Sequence, residues 1–473
     1  MTARFTPALA PPPSSLLPRF PSQFREEFAA VERILQSTPV IDKAFAISRE
    51  EFQSRQKKVS DALAARGVSV GVVFSDQHYC GDVPYLGGNT NVSIEQVAGV
   101  IGPGGFHIVA GLEGGYIAEQ LADRAAAKVH KVELLQLADE KYPIRAERLE
   151  AVLEEAAGGK RVDQIALLTP RQVIPDGLVN YLEKLVGPDR VVDEQSLYYK
   201  IKYEKSDAEM RLIRDANVIA DAMMRAMLAV LKPGLLETQV AGWAYLVGKE
   251  LGSEENGWDV MVGANEANRT LIGKALNRPI HEGDYVHLGV APKRDGLNSC
   301  LRRSAIAVRD PADVARFQPA APYWFQLVEQ AYRIGFDKYV EVASHGLPAK
   351  LQEQALVDFF AGRSDEVSRR VGRPINLALQ KPYTGTHNAG YTECQEFYGA
   401  ITLESEDPLG EQIVTMLDVA LRGVGDRWND VVIPGFDFVV VENTLGKFGR
   451  RVECFNQVPI NVQALVGRVE RDR

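Results

Sequence analysis

The sequence predicts two domains, a smaller α/β domain followed by a larger α+β domain, and three observations carry that reading. A chain of 473 residues exceeds one ordinary core and fits two or three domains of roughly 100–200 residues each. Helical and strand patterns alternate up to about residue 200, as an α/β domain requires. From Lys205 the pattern changes to long amphipathic helices in pairs, each pair followed by a group of strands.

The elements follow in order. The proline- and serine-rich opening to about Ser22 buries little and reads as a surface-draped arm, or as a strap that embraces a second copy. FREEFAAVERIL (Phe24 to Leu35) has apolar residues at helical spacing and predicts a helix ahead of the first compact domain. Ser48, with Glu51 three residues on, starts a second helix that stops at Gly67. VSVGVVFS is then a buried strand. QVAGVIGPGGFHIVAG reads as two strands joined by a Gly-Pro-Gly-Gly turn, with a helix near Ile117 to Ala127 behind them. A helix near Ala146 to Ala157, the strand QIALLTP and a helix near Gly177 to Val186 complete this part.

Ser206 caps a long helix ending at a Pro-Gly pair, and its methionines are read as core filler. A second helix, LETQVAGWAYLVGKELG, follows at once, then strands around DVMVGA, DYVHLGVAP and SAIAV. Helices from Tyr323 to Val340 and Gln352 to Phe360 precede a last strand-rich hundred residues. Helix pair, strands, helix pair, strands suggests a duplicated architecture, without a matching sequence repeat.

Composition excludes several classes. Apolar residues at 45% and charged residues at 25% are those of an ordinary folded protein, which disfavours disorder and coiled coils. A net charge of −9 with no long basic run offers nucleic acid no electrostatic footprint. Cys80, Cys300, Cys394 and Cys454 form no CxxC pair, so the expectation is a reducing cytoplasm with neither a zinc ribbon nor a disulfide framework. No signal-peptide core is expected at the N-terminus, and no stretch approaches the ~18 apolar residues of a membrane span. Neither nucleic acid nor membrane is expected as a partner.

Several segments, in order and at consistent spacing, carry a family resemblance. ISREEFQSRQ, GVVFS and VPYLGG in the first domain, and IKYEKSDAEMRLIRDA, NRPIHEGDYVHLGV, TGTHNAG (Thr384 to Gly390) and FVVVENTLG (Phe438 to Gly446) in the second, resemble the aminopeptidase P and creatinase superfamily. The resemblance implies an N-terminal extension (1–47), a creatinase-like α/β domain (48–200) and a pita-bread domain (201–473). It also implies homodimers, in which one subunit's small domain approaches the other's site. The family's site is a pair of metal ions held by carboxylates and a histidine. Here the first aspartate position is Gly289, the second is Cys300, and the histidine ahead of the strand is Ile272. Glycine and cysteine cannot supply the bridging carboxylates of a dinuclear oxygen-ligand centre, so that centre is not expected. The metal-free creatinase pattern is missing too, because Ile272 replaces its histidine and Arg302 stands where one glutamate would be.

Three former ligand positions keep polar side chains, His387, Asp418 and Glu442. If they converge as the family geometry implies, two anions raise the pKa of the imidazole and the group shuttles protons. Arg302 and Arg303 share a strand at that pocket, and alternation turns one of them inward, either to bind a substrate carboxylate or simply to neutralise Asp418 or Glu442. His287 has the parity of Gly289 and is a substrate-binding candidate, against a plain core histidine. Tyr391, Glu393 and Glu396 are candidates for the pocket mouth, with Gln395 in place of the family's second histidine. His78 and Tyr79 lie where family members close the site, although a surface or core role is favoured for His78. Cys300 is read first as a small buried hydrophobe.

The expectation is therefore a C–N hydrolase of a small polar substrate without a dinuclear centre and without a cofactor, with His387, Asp418 and Glu442 catalytic and Arg302, Arg303, His287 and Tyr391 binding substrate. Two alternatives stand beside it. One is an inactive pita-bread binding protein. The other is a mononuclear hydrolase or Xaa-Pro peptidase-like enzyme, with one divalent ion on His387, Asp418, Glu442 and Cys300.

Overall fold

A computed structural model describes residues 21–93, 95–136, 145–269, 272–380, 383–394, 396–425 and 427–468. The helix expected from Phe24 is α1 (Pro21–Ser37). The one expected from Ser48 is α2 (Arg49–Ala64), where the Ser48 hydroxyl accepts the Glu51 N–H. A six-stranded sheet follows in the order β4-β3-β2-β1-β5-β6. Its strands are β1 (Val70–Ser75), β2 (Val97–Gly102), β3 (Gly105–Ala110), β4 (Lys128–Lys131), β5 (Ile165–Leu167) and β6 (Val191–Asp193). Only β2 runs against its neighbours. Helices α3 (Asp82–Gly87), α4 (Leu112–Ala122), α5 (Leu149–Ala156) and α6 (Asp176–Val186) complete the domain. Two apolar clusters, one around α2 to α4 and one around α5 and α6, pack β1 from both faces. That is why its residues form an unbroken buried run rather than an alternating one.

Helix α7 (Gln195–Tyr203) leads into α8 (Asp207–Val230), which opens with a complete capping box between Ser206 and Glu209. Next come α9 (Glu237–Leu251), β7 (Met261–Ala264), β8 (Tyr285–Val290), the small hairpin β9 (Lys293–Arg294) and β10 (Leu297–Asn298), and β11 (Leu301–Ile306). Helices α10 (Val314–Phe317), α11 (Ala321–His345), α12 (Lys350–Val371) and α13 (Leu377–Gln380) precede β12 (Tyr383–Thr384), β13 (His387–Asn388), β14 (Gln412–Arg422), β15 (Phe438–Phe448) and β16 (Arg451–Cys454). One antiparallel sheet runs β12-β14-β15-β11-β8-β7, with β13 on β14 and β16 on β15.

The expected duplication holds as architecture. Val286, Leu288, Val290, Leu301 and Ala305 pack beneath α8 and α9, while Leu417, Val419, Val439 and Val441 pack beneath α11 and α12. Because side chains alternate across a strand, the intervening residues of the same strands, Gly289, Arg302, Asp418 and Glu442, fall on the opposite, concave face.

Three elements differ from the sequence reading, and the first is α4, whose Leu112–Ala122 lies five residues ahead of the expected Ile117 to Ala127. Helix α12 runs on to Val371 instead of stopping at Phe360. Its serines bond back to the preceding turn, Ser364 to the Phe360 carbonyl and Ser368 to that of Ser364, and a left-handed Gly372 ends it (φ +77°). Helix α1 precedes the α/β domain in sequence yet packs on the second domain, with Val31 and Ile34 in the α8/α9 core and Glu27 accepting the Trp243 indole N–H at 2.9 Å. The opening arm lies outside the described residues.

The two domains share one core, since Val73, Leu86 and Tyr198 belong to the same apolar cluster as Met210, Cys300, Tyr391 and Met416. A buried charge knot lies in it. Lys202 Nζ stands 2.8 Å from Asp82 of the first domain and 2.9 Å from Glu396 of the second. Burial works against the Lys202 charge, but the two carboxylates outweigh it and push its pKa up. Asp82 also accepts from Thr169 at 2.6 Å and Tyr199 at 3.1 Å. Removing one member of such a knot is far costlier than never having built it. Lys202→Met is expected to cost roughly 3–5 kcal/mol, measured by urea unfolding. A loss below about 1 kcal/mol would mean that Asp82 and Glu396 are hydrated rather than locked.

Candidate functional site

The site is built on one cross-strand row. Asp418 on β14 is directly opposite Glu442 on β15, Glu442 is opposite Arg302 on β11, Arg302 is opposite Gly289 on β8, and Gly289 is opposite Met261 on β7. Residues opposite one another in a sheet point to the same face, so register alone gathers these side chains.

Arg302 is the centre of the row. Its Nη1 lies 2.7 Å from Asp418 Oδ2 and 3.4 Å from Glu442 Oε2, and its Nε donates to His287 Nε2 at 3.2 Å. The missing side chain at Gly289 is what admits it. A Cβ there would stand 2.9 Å from Trp258 and 3.2 Å from Arg302 Cγ. The former ligand position has thus become the space along which the arginine stem runs. Burial opposes the guanidinium charge, but Asp418 and Glu442 more than offset it and raise its pKa.

His387 sits on the short β13, which brings it beside β14. Its Nδ1 donates to the Asn388 carbonyl at 3.0 Å, which turns Nε2 toward Glu393 (3.5 Å) and Glu442 (3.8 Å). Burial would lower the imidazole pKa, but Glu393 and then Glu442 reverse this and hold it at about 9. Burial also raises the Asp418 pKa well above the carboxylate range, with Glu442 adding to the rise and Arg302 opposing it. Glu442 is penalised by burial as well, yet His387 and Arg302 bring it below its ordinary value. Of two adjacent carboxyls, the one flanked by both cations stays ionised.

The remaining expectations divide. His387, Asp418 and Glu442 do converge. Arg302 is the inward arginine, but its guanidinium is taken up by Asp418, Glu442 and His287, so it neutralises the pocket rather than awaiting a substrate anion. Arg303 is corrected outright. It points to the helix side and donates to the carbonyls of Arg302, Glu442, Val458 and Pro459 and to the Asn443 side chain, each at 2.8 Å. It pins the backbone of two site residues from beneath. His287 faces the pocket as its parity implied, but it is 1% exposed. Burial, then Arg302, hold it neutral, and it positions Arg302 instead of meeting substrate.

Tyr391 is also corrected, because its hydroxyl accepts from Arg55 at 3.0 Å and its ring abuts Tyr85, both in the first domain. Glu396 belongs to the Lys202 knot. Gln395 lies outside the described residues, and His78 and Ile272 are exposed. Tyr79 stacks on Phe397.

Glu393 is the neighbour of His387 that the sequence marked only as a mouth candidate. Its loop is fixed on both sides. Asn298 donates to the Gly390 and Tyr391 carbonyls, and the Thr392 N–H and hydroxyl each donate to Glu396 at 3.0 Å. The donor set for a single metal also changes. Cys300, Glu393 and Glu442 each place a ligand atom within 4.8 Å of the others. Asp418, in the expected set, is held by Arg302 instead. Cys300 is fully buried, and burial, with Glu442 and Glu393 beside it, raises its pKa well above the usual thiol range. The residues do not fit a dinuclear centre: a glycine and a protonated thiol replace its aspartates, and a guanidinium lies between the surviving carboxylates.

The His387 pKa sets a pH dependence. A folded value of about 9 against an ordinary ~6.5 contributes stability that is complete below pH ~6.5 and lost as pH rises through the folded value. Wild type is therefore expected to exceed His387→Gln by about 3 kcal/mol at pH 6, with the gap closing by about pH 10. Denaturant midpoints across that range check it, and a gap independent of pH would contradict it.

The model of metallopeptidase family M24 matches residues 211–384, a stretch that holds Gly289, Cys300 and Arg302 and stops just short of His387. The chain is similar to the Xaa-Pro dipeptidase of Pyrococcus horikoshii, 24% identical over 273 residues, covering 57% of this chain and 73% of that one. It is also similar to the uncharacterized peptidase YqhT of Bacillus subtilis, 21% identical over 267 residues, covering 56% and 69%. Among solved structures, the X-Pro aminopeptidase of Thermotoga maritima superposes with a TM-score of 0.65 at 14% identity, over 86% of this chain and 99% of that one. The prolidase of Pyrococcus horikoshii gives 0.63 at 15%, over 85% and 98%. No described helix is long and apolar enough to cross a membrane. With X-Pro peptidase structures superposing across both domains, the chain has their pita-bread fold, and residues 211–384 of its second domain match the M24 metallopeptidase family.

Proposed function

We propose that this protein hydrolyses a C–N bond in a small, nitrogen-bearing polar molecule, without a dinuclear metal centre. The observation that carries the reading is a pair of buried carboxyl oxygens that face the pocket beside His387. Among the described residues Asp418 Oδ1 makes no hydrogen bond and Glu442 Oε1 has the His387 Nε2 at 3.8 Å, beyond hydrogen-bond length, and leaving such groups unsatisfied is costly. Ionised Glu442 is complemented by an N–H donor and protonated Asp418 by an acceptor, so the ligand carries both, as a neutral amidine, guanidine or peptide amide does. This replaces the anionic substrate group that an uncommitted Arg302 would have preferred.

The roles follow from the geometry. At neutral pH His387 carries its proton, and its Nε2–H is placed to protonate a departing nitrogen. Glu393, 9% exposed on the other side of Nε2, is placed to take a proton from the attacking water. Arg302 keeps Glu442 ionised while leaving its Oε1 oxygen available. Xaa-Pro peptides, after which the similar dipeptidase of Pyrococcus horikoshii is named, are one choice to assay among other C–N compounds.

A second reading rests on Cys300, Glu393 and Glu442, with His387 at their edge, as ligands for one divalent ion. Bound there, the ion would supply an activated water. His387, Glu393 and Glu442 would then hold the ion, and Cys300 would have to give up its proton. The test is a substrate screen over amidines, guanidino compounds and dipeptides, with metal content measured on protein purified without chelator. For the accepted substrate, His387→Ala is expected to lower kcat by about 10²–10⁴-fold, with turnover surviving chelation. Unchanged turnover in His387→Ala would sink the proposal, and activity that tracks one bound metal per chain would favour the second reading.

A further inference from the structure

The α/β domain holds another group of polar side chains, far in sequence from the pocket and unused by it. His107 on β3 and His130 on β4 lie on one face of a parallel strand pair, two positions out of step, since His107 is opposite Lys128 and Val109 is opposite His130. Their rings stack 5.1 Å apart, with His107 Nδ1 2.9 Å from His130 Nε2. The outer nitrogen of each ring faces an acceptor. His130 Nδ1 is 2.8 Å from Glu147 Oε2. His107 is fully buried, and its Nε2 lies near the Gly104 carbonyl without a hydrogen bond of ordinary geometry.

This pattern is frustrated in any neutral arrangement of protons. If both outer nitrogens donate to their acceptors, the two inner nitrogens present lone pairs to each other across the gap. If instead His107 donates to His130 through Nδ1, its buried Nε2 is left as a lone pair beside a carbonyl. A cation between the inner nitrogens resolves the conflict. A metal ion is one such cation, and a third ligand is at hand, for Glu155 on α5 brings a carboxylate oxygen within 4.8 Å of a nitrogen of each ring.

We propose that His107, His130 and Glu155 bind one divalent transition-metal ion of the zinc class and clamp α5 to the β3–β4 edge of the sheet. Two imidazoles, a carboxylate and a water suit tetrahedral zinc, and metal–nitrogen bonds of about 2.0–2.1 Å require the rings to open only slightly. Glu147 takes the part of the outer carboxylate that orients a ligating histidine. Lys128 now holds Glu155, but both side chains are largely exposed, at 60% and 45%, so the ion displaces the lysine at little cost.

The test uses the full-length chain carrying Glu393→Gln, which removes a donor from the other site, stripped with chelator and titrated with Co(II) under visible absorption, then with Zn(II) and metal analysis. One equivalent is expected to bind and to raise Tm. His130→Ala and Glu155→Gln are expected to abolish it, and Glu147→Gln to weaken it about 10–100-fold. Glu147 and Glu155 lie at the surface, so their variants report on the metal even if His130→Ala fails to fold. No uptake, or uptake indifferent to Glu155→Gln and Glu147→Gln, would overturn the assignment.

Discussion

Arg302 lies across the row that in a metal-bearing pita-bread site would carry bridging carboxylates, and the rest of the pocket is arranged around its charge. A guanidinium keeps its charge at any relevant pH, so Asp418 and Glu442 sit in a permanent positive field although they are almost fully buried. Taking an ion out of water costs several kcal/mol even after relaxation, and for Glu442 that cost is offset by His387 on one side and Arg302 on the other. Gly289, His287 and Arg303 all serve this one side chain. The first clears its path, the second accepts from its Nε, and the third holds its backbone from the far side of the sheet. A guanidinium differs from a metal ion in one respect that matters for chemistry: it offers hydrogens, not empty orbitals. It can stabilise negative charge without making bound water acidic, and proton transfer then rests with side chains.

The domain interface reaches this pocket through the loop that carries Tyr391 and Glu393. Residues 390–396 meet the first domain at Tyr391, the linking helix α7 at Glu396 through Lys202, and His387 at Glu393. The position of the carboxylate that raises the His387 pKa is therefore set by contacts more than one domain deep. A loop with so few conformations left holds the pair at near-constant distance, which acid–base work requires.

How much of this the sequence disclosed depended on whether a local rule was involved. Capping at Ser48 and Ser206, and strands such as Val70–Ser75, follow from signals a few residues long and were legible. The expected helix ended at Phe360, ahead of Ala-Gly-Arg-Ser, because the back-bonds by which Ser364 and Ser368 continue α12 leave no trace in composition. His387, Asp418 and Glu442 were legible by resemblance, and the inward turn of Arg302 was open because parity alone cannot say which of two adjacent arginines faces the cavity. Its register opposite Gly289 decides that, and register is a tertiary property. Tyr391 and Glu393 lie in an irregular segment with no period to read, so their destinations were not predictable. His107, His130 and Glu155 carry no motif spacing, and only the parallel pairing of β3 with β4 brings them together.

The placement of α1 bears on how the chain assembles. A helix that precedes the α/β domain but is seated between α8 and α9 cannot be stabilised by anything close to it in sequence. Contacts this distant are paid for in loop entropy before they return any stabilisation. The α/β domain has its own sheet and can form first, whereas α1 must wait for a partner whose last residue, Leu251, lies more than two hundred positions further on. Its apolar stripe stays in water until then. The two domains are thus tied in time as well as in space, with the second completing the burial of a segment that the first leaves behind.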